Sequence, residues 1–442
     1  MKLKLDWSQY ENAGMGDAYA DIPKIGGDWA KAIAVCIGSQ QCQRPHKGVM
    51  CPSFRVDGNP LLSPGGRVKL LKSALNQPGA TTLYDPDIRA AMDLCVSCKG
   101  CKRECENEVD MAAIKAEYLA QYYATRGWPL RARLFAALPR LLSLAPAAAL
   151  IRRRNRNPWL ARLGERWLGL SAAVSWPEPQ AAAFAAPPQA EGNQGVVLFV
   201  DTFSRHFQPR AVEAALRLLS AAGYRITIVN GGADAGLCCG RSHYANGQIE
   251  TARRLAGELI TALTPHAQAG TPIVGLEPSC ILSLRDEYLK YGFGDAAKLI
   301  AARAQLLEEF IAHEQNAGRW RLPFAVGSQP DAQPILVHGH CWQKAAGAMK
   351  SMRKVLKSVT GLEFEFIESS CCGMAGQFGL EAEHRETSRQ MAELALYPAL
   401  RQHPRAAVVA NGFSCQQQIL NGGFAPPRHL AEFLAALISP TP

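Results

Sequence analysis

The chain has 442 residues, 48% of them hydrophobic and 19% charged, with a formal charge of +10. Those totals fit two or three globular domains with a sizeable core and exclude a disordered chain. With fourteen cysteines and an N-terminus that reads as free of any secretory signal, the expectation is a cytoplasmic protein whose thiols are reduced and bind metal.

Residues 1–117 form a cysteine-rich head containing Cys36, Cys42, Cys51, Cys95, Cys98, Cys101 and Cys105. The last four follow the spacing C-x2-C-x2-C-x3-C. Bacterial ferredoxins use it to wrap iron–sulfur clusters, with three thiolates on one cluster and the fourth reaching another. On that exchange pattern Cys95, Cys98 and Cys101 take Cys51, followed by Pro52, as the fourth ligand of a [4Fe-4S] cluster. Cys105 swings back to a second site with Cys36 and Cys42. Ser39 stands where that group's middle cysteine belongs, so three readings stay open: [3Fe-4S], [4Fe-4S] with a non-cysteine ligand such as His46 or water, or no cluster. Structural zinc is the competing chemistry, but zinc wants two separated pairs and not a tight triplet.

Residues 118–190 read as two or three amphipathic helices broken by Pro139, Pro146 and Pro158, followed by a Pro/Ala-rich linker. The most apolar stretch, 134–151, contains Arg140 and two prolines and is a poor membrane span. Arg152, Arg153, Arg154 and Arg156, with Trp159, Arg162, Arg166 and Trp167, make the densest basic patch. It reads either as a solvated face or as a surface for a partner or the inner face of the membrane. No nucleic-acid motif accompanies the charge, so nucleic acid is not expected.

From 191 the pattern becomes strands alternating with helices. Strands are predicted at 196–200, 226–229 and 272–276, then again at 335–337, 363–367 and 406–410. Helices are predicted over 209–222 and after each Cys-Cys-Gly. Leu237-Cys238-Cys239-Gly240 matches Ser370-Cys371-Cys372-Gly373, and Pro278-Ser279-Cys280 matches Phe413-Ser414-Cys415. This is an internal duplication into halves at 191–325 and 326–442. Loops after parallel strands are where such sheets place ligands. Half 2 offers four thiolates, Cys341, Cys371, Cys372 and Cys415, enough for one [4Fe-4S] cluster. Half 1 offers Cys238, Cys239 and Cys280, with Asp201 near the place of the leading cysteine. It reads either as a further site or as a degenerate copy with buried structural thiols. His338, His340 and His243 are candidates for tuning a cluster or relaying protons. The expected fold is thus α+β/α/β: an α-helical ferredoxin-like head before a duplicated α/β domain.

Cys36 to Cys42, Gly48-Val49-Met50-Cys51-Pro52, Leu94 to Cys101 and Glu108 to Met111 resemble the iron–sulfur half of bacterial FAD-linked D-2-hydroxyacid dehydrogenases. The D-lactate and D-2-hydroxyglutarate enzymes are the nearest type, with the glycolate oxidase iron–sulfur subunit related. Cys238 to Arg241, Gly275 to Cys280, His338 to Cys341 and Cys371 to Gly376 are similar to that family's CCG domain, shared with heterodisulfide reductase. The resemblance implies an electron-transfer subunit that takes electrons from an FAD-linked oxidase subunit and passes them to quinone or another acceptor. FAD is expected only on the partner chain, because no glycine-rich dinucleotide fingerprint occurs here. The alternative is a heterodisulfide-reductase-like enzyme reducing its own acceptor. Such sites carry a fifth cysteine, and Glu277 and Gly412 occupy the two corresponding positions.

Overall fold

The computed structural model describes residues 2–14, 20–44, 48–77, 83–142, 146–180, 184, 194–230, 236–326 and 334–438. His46 lies outside them. The head is built of short helices, including Gly27–Ala34, Pro52–Asp57, Pro64–Asn76, Pro86–Asp93 and Gly100–Glu104, then Met111–Arg126. Local chemistry starts them. Proline at the first position follows Ser63, whose hydroxyl accepts from Gly66 N at 3.0 Å, and Asp85, whose carboxylate accepts from Asp87 N at 2.7 Å. Trp29, Leu71, Met92 and Tyr118 are fully buried between them. Helix Met111–Arg126 runs continuously across residue 117.

Four further helices follow: Leu130–Ala136, Leu138–Leu142, Pro146–Arg156 and Pro158–Leu168. The prolines expected to break helices sit at or near their starts. Arg154 departs from the basic patch read in the sequence. It is buried, donates to Val174 O at 2.7 Å, and lies 4.8 Å over the Trp176 ring.

Half 1 holds β1 (Gln194–Phe199), β2 (Tyr224–Val229), β3 (Ile273–Gly275) and β4 (Ala304–Leu306) in the parallel order β2-β1-β3-β4. β5 (Phe324–Ala325) ends the 191–325 stretch. Half 2 holds β6 (Ile335–His338), β7 (Val359–Thr360), β8 (Phe364–Phe366) and β9 (Val408–Ala410), with β7 paired to β5. Its order β8-β6-β9 repeats β2-β1-β3, and a parallel bridge from Val409 to Arg428 stands where β4 pairs in half 1. The duplication is therefore topological as well as sequential.

Strand alternation decides the packing. Val197, Phe199, Ile273, Leu336 and Val408 face one core, which continues into the head. Val196, Leu198, Val274, Val337 and Val409 face a second core shared by both halves. There helix Pro209–Ala221 packs on helix Leu430–Ala435.

One expected element is absent. Cys371-Cys372-Gly373 does not open a helix; a 3-10 turn at Phe378–Leu380 precedes the next helix, Arg385–Glu393. Gly373, Ala375 and Gly376 have φ of 91°, 41° and 69°, which a right-handed helix cannot continue.

Candidate metal centre

All fourteen cysteines are free, and twelve are buried, with Cys36 and Cys105 half-buried. They gather in four groups.

Cys51, Cys95, Cys98 and Cys101 surround one small cavity of about 20 Å³. Ser97 and Lys99 adopt left-handed φ of 50° and 62°, which winds the loop so that its sulfurs converge. Gly100 is required by close approach: a Cβ there would meet Met50 N at 2.8 Å. Arg67, fully buried, reaches Cys51 Sγ at 3.5 Å, Ser53 Oγ at 2.9 Å and Ala91 O at 2.7 Å. Burial works against the Cys51 thiolate, but Arg67 and Ser53 hold that thiol below its ordinary value. Burial, then Cys341, Cys51, Cys101 and Cys371, pushes Cys98 far up.

Cys36, Cys42 and Cys105 form the second head group. A Cβ on Gly65 would meet Cys42 Sγ at 3.4 Å and Cys36 Sγ at 4.0 Å. Burial chiefly, with the charges of Cys105 and Cys42, raises the Cys36 thiol. Ser39 is exposed and adds nothing.

In half 2, Cys341 opens helix Cys341–Ala345 directly after β6, and Cys371, Cys372 and Cys415 follow β8 and β9. The hydrogen bond with Cys371, then burial, pushes Cys341 up. Hydrogen bonds with Cys341 and Cys371 lower Cys371 and Cys372 respectively, but Cys372, Cys415 and burial leave both raised. A ring nitrogen of His338 and the sulfurs of Cys372 and Cys415 all lie within 4.8 Å of one another. His338 Nδ1 pairs with Ser369 Oγ at 3.1 Å, while its buried Nε2 has no partner. Burial keeps His338 neutral and pulls His340 down to about 3. Half-buried Lys344 donates to Ser369 O at 2.6 Å and feels all four thiolates.

In half 1, Cys239 and Cys280 sulfurs are 3.2 Å apart, with Cys238 beside them. The hydrogen bond with Cys239 lowers the Cys280 thiol, but burial, Asp201 and Glu277 leave it at about 12. Asp201 is consumed as a helix cap, accepting from Phe203 N at 2.9 Å and Ser204 Oγ at 2.6 Å. His243 is engaged with Gln248 at 2.8 Å.

Gathered thiolates repel one another and lose water. A bound cation reverses both penalties as it displaces the protons, so the four-thiol groups fit soft iron–sulfur ligation. Iron–sulfur clusters bound there would supply one-electron redox chemistry. The head and half 2 are clamped together beside these groups: Trp342 Nε1 donates to Ser97 O at 3.2 Å, and Ser370 Oγ donates to Val49 O. No spacing rule announces Arg67, Lys344 or Trp342, because each is set by contacts far away in sequence.

The positions of a fifth cysteine are filled. A Cβ on Gly412 would meet His340 Cδ2 at 2.4 Å. The Glu277 carboxylate accepts from Phe413 N at 2.7 Å and from Ser279 Oγ at 2.8 Å.

Comparison with known proteins follows the same division. The 4Fe-4S dicluster domain family matches residues 32–109, and the Cysteine-rich domain (CCG) family matches 202–285 and again 335–419. D-2-hydroxyglutarate dehydrogenase of Pantoea ananatis (strain AJ13355) is 24% identical over 470 residues, covering 93% of this chain and 44% of the relative. A subunit of the anaerobic glycerol-3-phosphate dehydrogenase of Escherichia coli (strain K12) is 24% identical, covering 53% of the chain and 57% of the relative. Lactate utilization protein A 2 of Bacillus cereus (strain Q1) is 23% identical over 42% of the chain and 74% of its own length. The chain spans less than half the length of the D-2-hydroxyglutarate dehydrogenases it matches. No solved structure matches. The chain carries 4Fe-4S and cysteine-rich domains and is related to named dehydrogenases.

Proposed function

We propose that this chain is the iron–sulfur electron-transfer part of an FAD-dependent D-2-hydroxyacid dehydrogenase. It relays electrons from a partner flavoprotein to quinone or another acceptor. Cys51, Cys95, Cys98 and Cys101 hold a [4Fe-4S] cluster, Cys36, Cys42 and Cys105 hold a second cluster, and Cys341, Cys371, Cys372 and Cys415 hold a further [4Fe-4S] cluster. In this reading the ferredoxin-like head, residues 1–117, receives electrons, and the halves at 191–325 and 326–442 pass them on. The observation that carries it is continuity: Trp342, next to Cys341 of half 2, donates to the carbonyl of Ser97, next to Cys98 of the head, at 3.2 Å. One-electron transfer needs such short gaps between buried centres, and a two-electron flavin needs one-electron relays.

The reading also takes the helical, basic segment 118–175 as a docking face for the flavoprotein or the inner face of the membrane. Trp159 and Trp167 are 66% and 75% exposed, beside exposed Arg153, Arg156, Arg162 and Arg166. Among the described residues no helix is long and apolar enough to cross a membrane.

The heterodisulfide-reductase-like alternative is disfavoured by the steric block at Gly412. The test is anaerobic purification of the full chain, with iron and labile sulfide counted and the colour bleached by photoreduced flavin. Brown protein that photoreduced flavin bleaches supports the relay; a colourless, zinc-loaded protein overturns it.

A further inference from the structure

A cavity of about 570 Å³ lies where the head, the helices of 130–156 and both halves meet. Its floor is sulfur: Cys95 of the head, with Cys341, Cys371 and Cys372 of half 2. Its roof and walls are hydrocarbon, from Leu134, Leu138, Leu141 and Leu150. A cluster of three rings completes the wall, Phe203 and Phe207 packed on Phe413 at ring centroid distances of 5.3 and 4.7 Å. Arg241 also lines it, its guanidinium 4.3 Å over the Trp342 ring. A volume in this range suits a small organic ligand, and a cubane would fill only the sulfur-lined end.

We infer that this cavity is the acceptor site, and that its occupant is a lipid-soluble quinone entering beneath the helices of 130–168. The inference rests on the relay reading above and names the acceptor and its place. Three features of the cavity select that chemistry. A flat ring can pack against the cavity-facing side of the Phe203, Phe207 and Phe413 cluster. An isoprenoid tail matches the leucine roof. The Arg241 charge favours the negative charge that develops on a carbonyl oxygen as each electron arrives. The neighbouring helices carry exposed Leu130, Trp159 and Trp167, residue types that sit in a bilayer interface. The reaction balances simply. Two electrons, released by hydroxy-acid oxidation on the flavoprotein, and two protons from water convert the two quinone carbonyls to hydroxyls.

The test uses iron-loaded full chain and decylubiquinone. Ala147→Trp and Leu138→Trp each fill the cavity from its roof without touching a cysteine. Wild-type protein is expected to bind one quinone per chain by equilibrium dialysis, with affinity weakened about tenfold or more in both variants. Dithionite-reduced variants should be reoxidised by decylubiquinone about tenfold more slowly, and by ferricyanide at the wild-type rate. Unchanged iron content in the variants shows that they fold. Absence of saturable binding to the wild type, unchanged binding in both variants, or equal slowing with both oxidants overturns the inference. Failure of the relay reading looks different: no iron, or no reduction of the chain at all.

Discussion

Lys99 sits inside the cluster-binding loop, between Cys98 and Cys101, and is 3% exposed. It lies 3.3 Å from Asp110, 3.1 Å from Asp286 and 3.4 Å from Glu287. Lys102 and Lys290 complete a group of three cations against three carboxylates that ties the loop to half 1. Replacing Lys99 by Met leaves one negative charge uncompensated. Asp110 and Asp286 each keep both remaining lysines, at 2.8 to 3.4 Å. The loss therefore falls on Glu287, whose two buried oxygens accept no hydrogen bond. Removing one partner of a buried pair costs about 3–5 kcal/mol, and the surviving lysines place this case at the low end, about 3 kcal/mol. Urea unfolding of anaerobic, iron-loaded protein measures it. Lys99→Met combined with Glu287→Gln restores neutrality and should recover about 2 kcal/mol of the loss. Burial already raises Glu287, so the single variant's defect should ease toward acid pH, where that carboxyl protonates. A single variant within about 1 kcal/mol of wild type, or a double variant no more stable than the single, refutes the charge-balance argument.

Gly373→Ala should destabilise the chain by at least about 2 kcal/mol and remove iron from half 2. Its φ is 91° and a Cβ would stand 2.1 Å from Ser388 O; iron counting and unfolding midpoints check it. His338→Gln should keep the iron but lower the potential of the half-2 centre, because a ring nitrogen of His338 lies beside Cys372 and Cys415 and its Nε2 has no other partner. An unchanged redox titration with an unchanged EPR line shape would count against that role. Burial lifts Glu308 from 4.5 to about 7. A raised carboxyl holds its proton more tightly in the folded state. Its contribution is thus complete below about pH 4.5 and is lost as pH climbs to about 7, a change of about 3 kcal/mol. Glu308→Gln keeps an oxygen to accept from one of its two donors, Gln343 Nε2 and Asn411 Nδ2, and should remove that part of the fall, leaving the part due to Glu277, also about 7. Stability measured from pH 4.5 to 7.5 that falls as steeply in the variant as in wild type would contradict it.

The local signals were legible in the sequence. Apolar runs such as 196–200 and 335–337 became central parallel strands because both sheet faces are buried, and the paired Cys-Cys-Gly motifs announced the duplication. What stayed hidden depends on long-range contact. The basic run at 152–156 gave no sign that Arg154 turns inward to Ser171 and Val174. Helix periodicity did not register that Gly373 and Gly376 turn the chain after Cys372. Cysteine counting brought each half's thiols together, but not the head against half 2. That junction comes from Trp342 bonding Ser97 and Ser370 bonding Val49, pairs separated by 245 and 321 positions.

The account turns on whether the head and half-2 thiol groups carry clusters that sense each other. EPR of the fully reduced, anaerobic full chain measures this directly. The account predicts a spin-coupled, broadened spectrum that collapses to isolated head signals in Cys372→Ser. Magnetically isolated signals in the wild type, or no iron–sulfur signal, would contradict it.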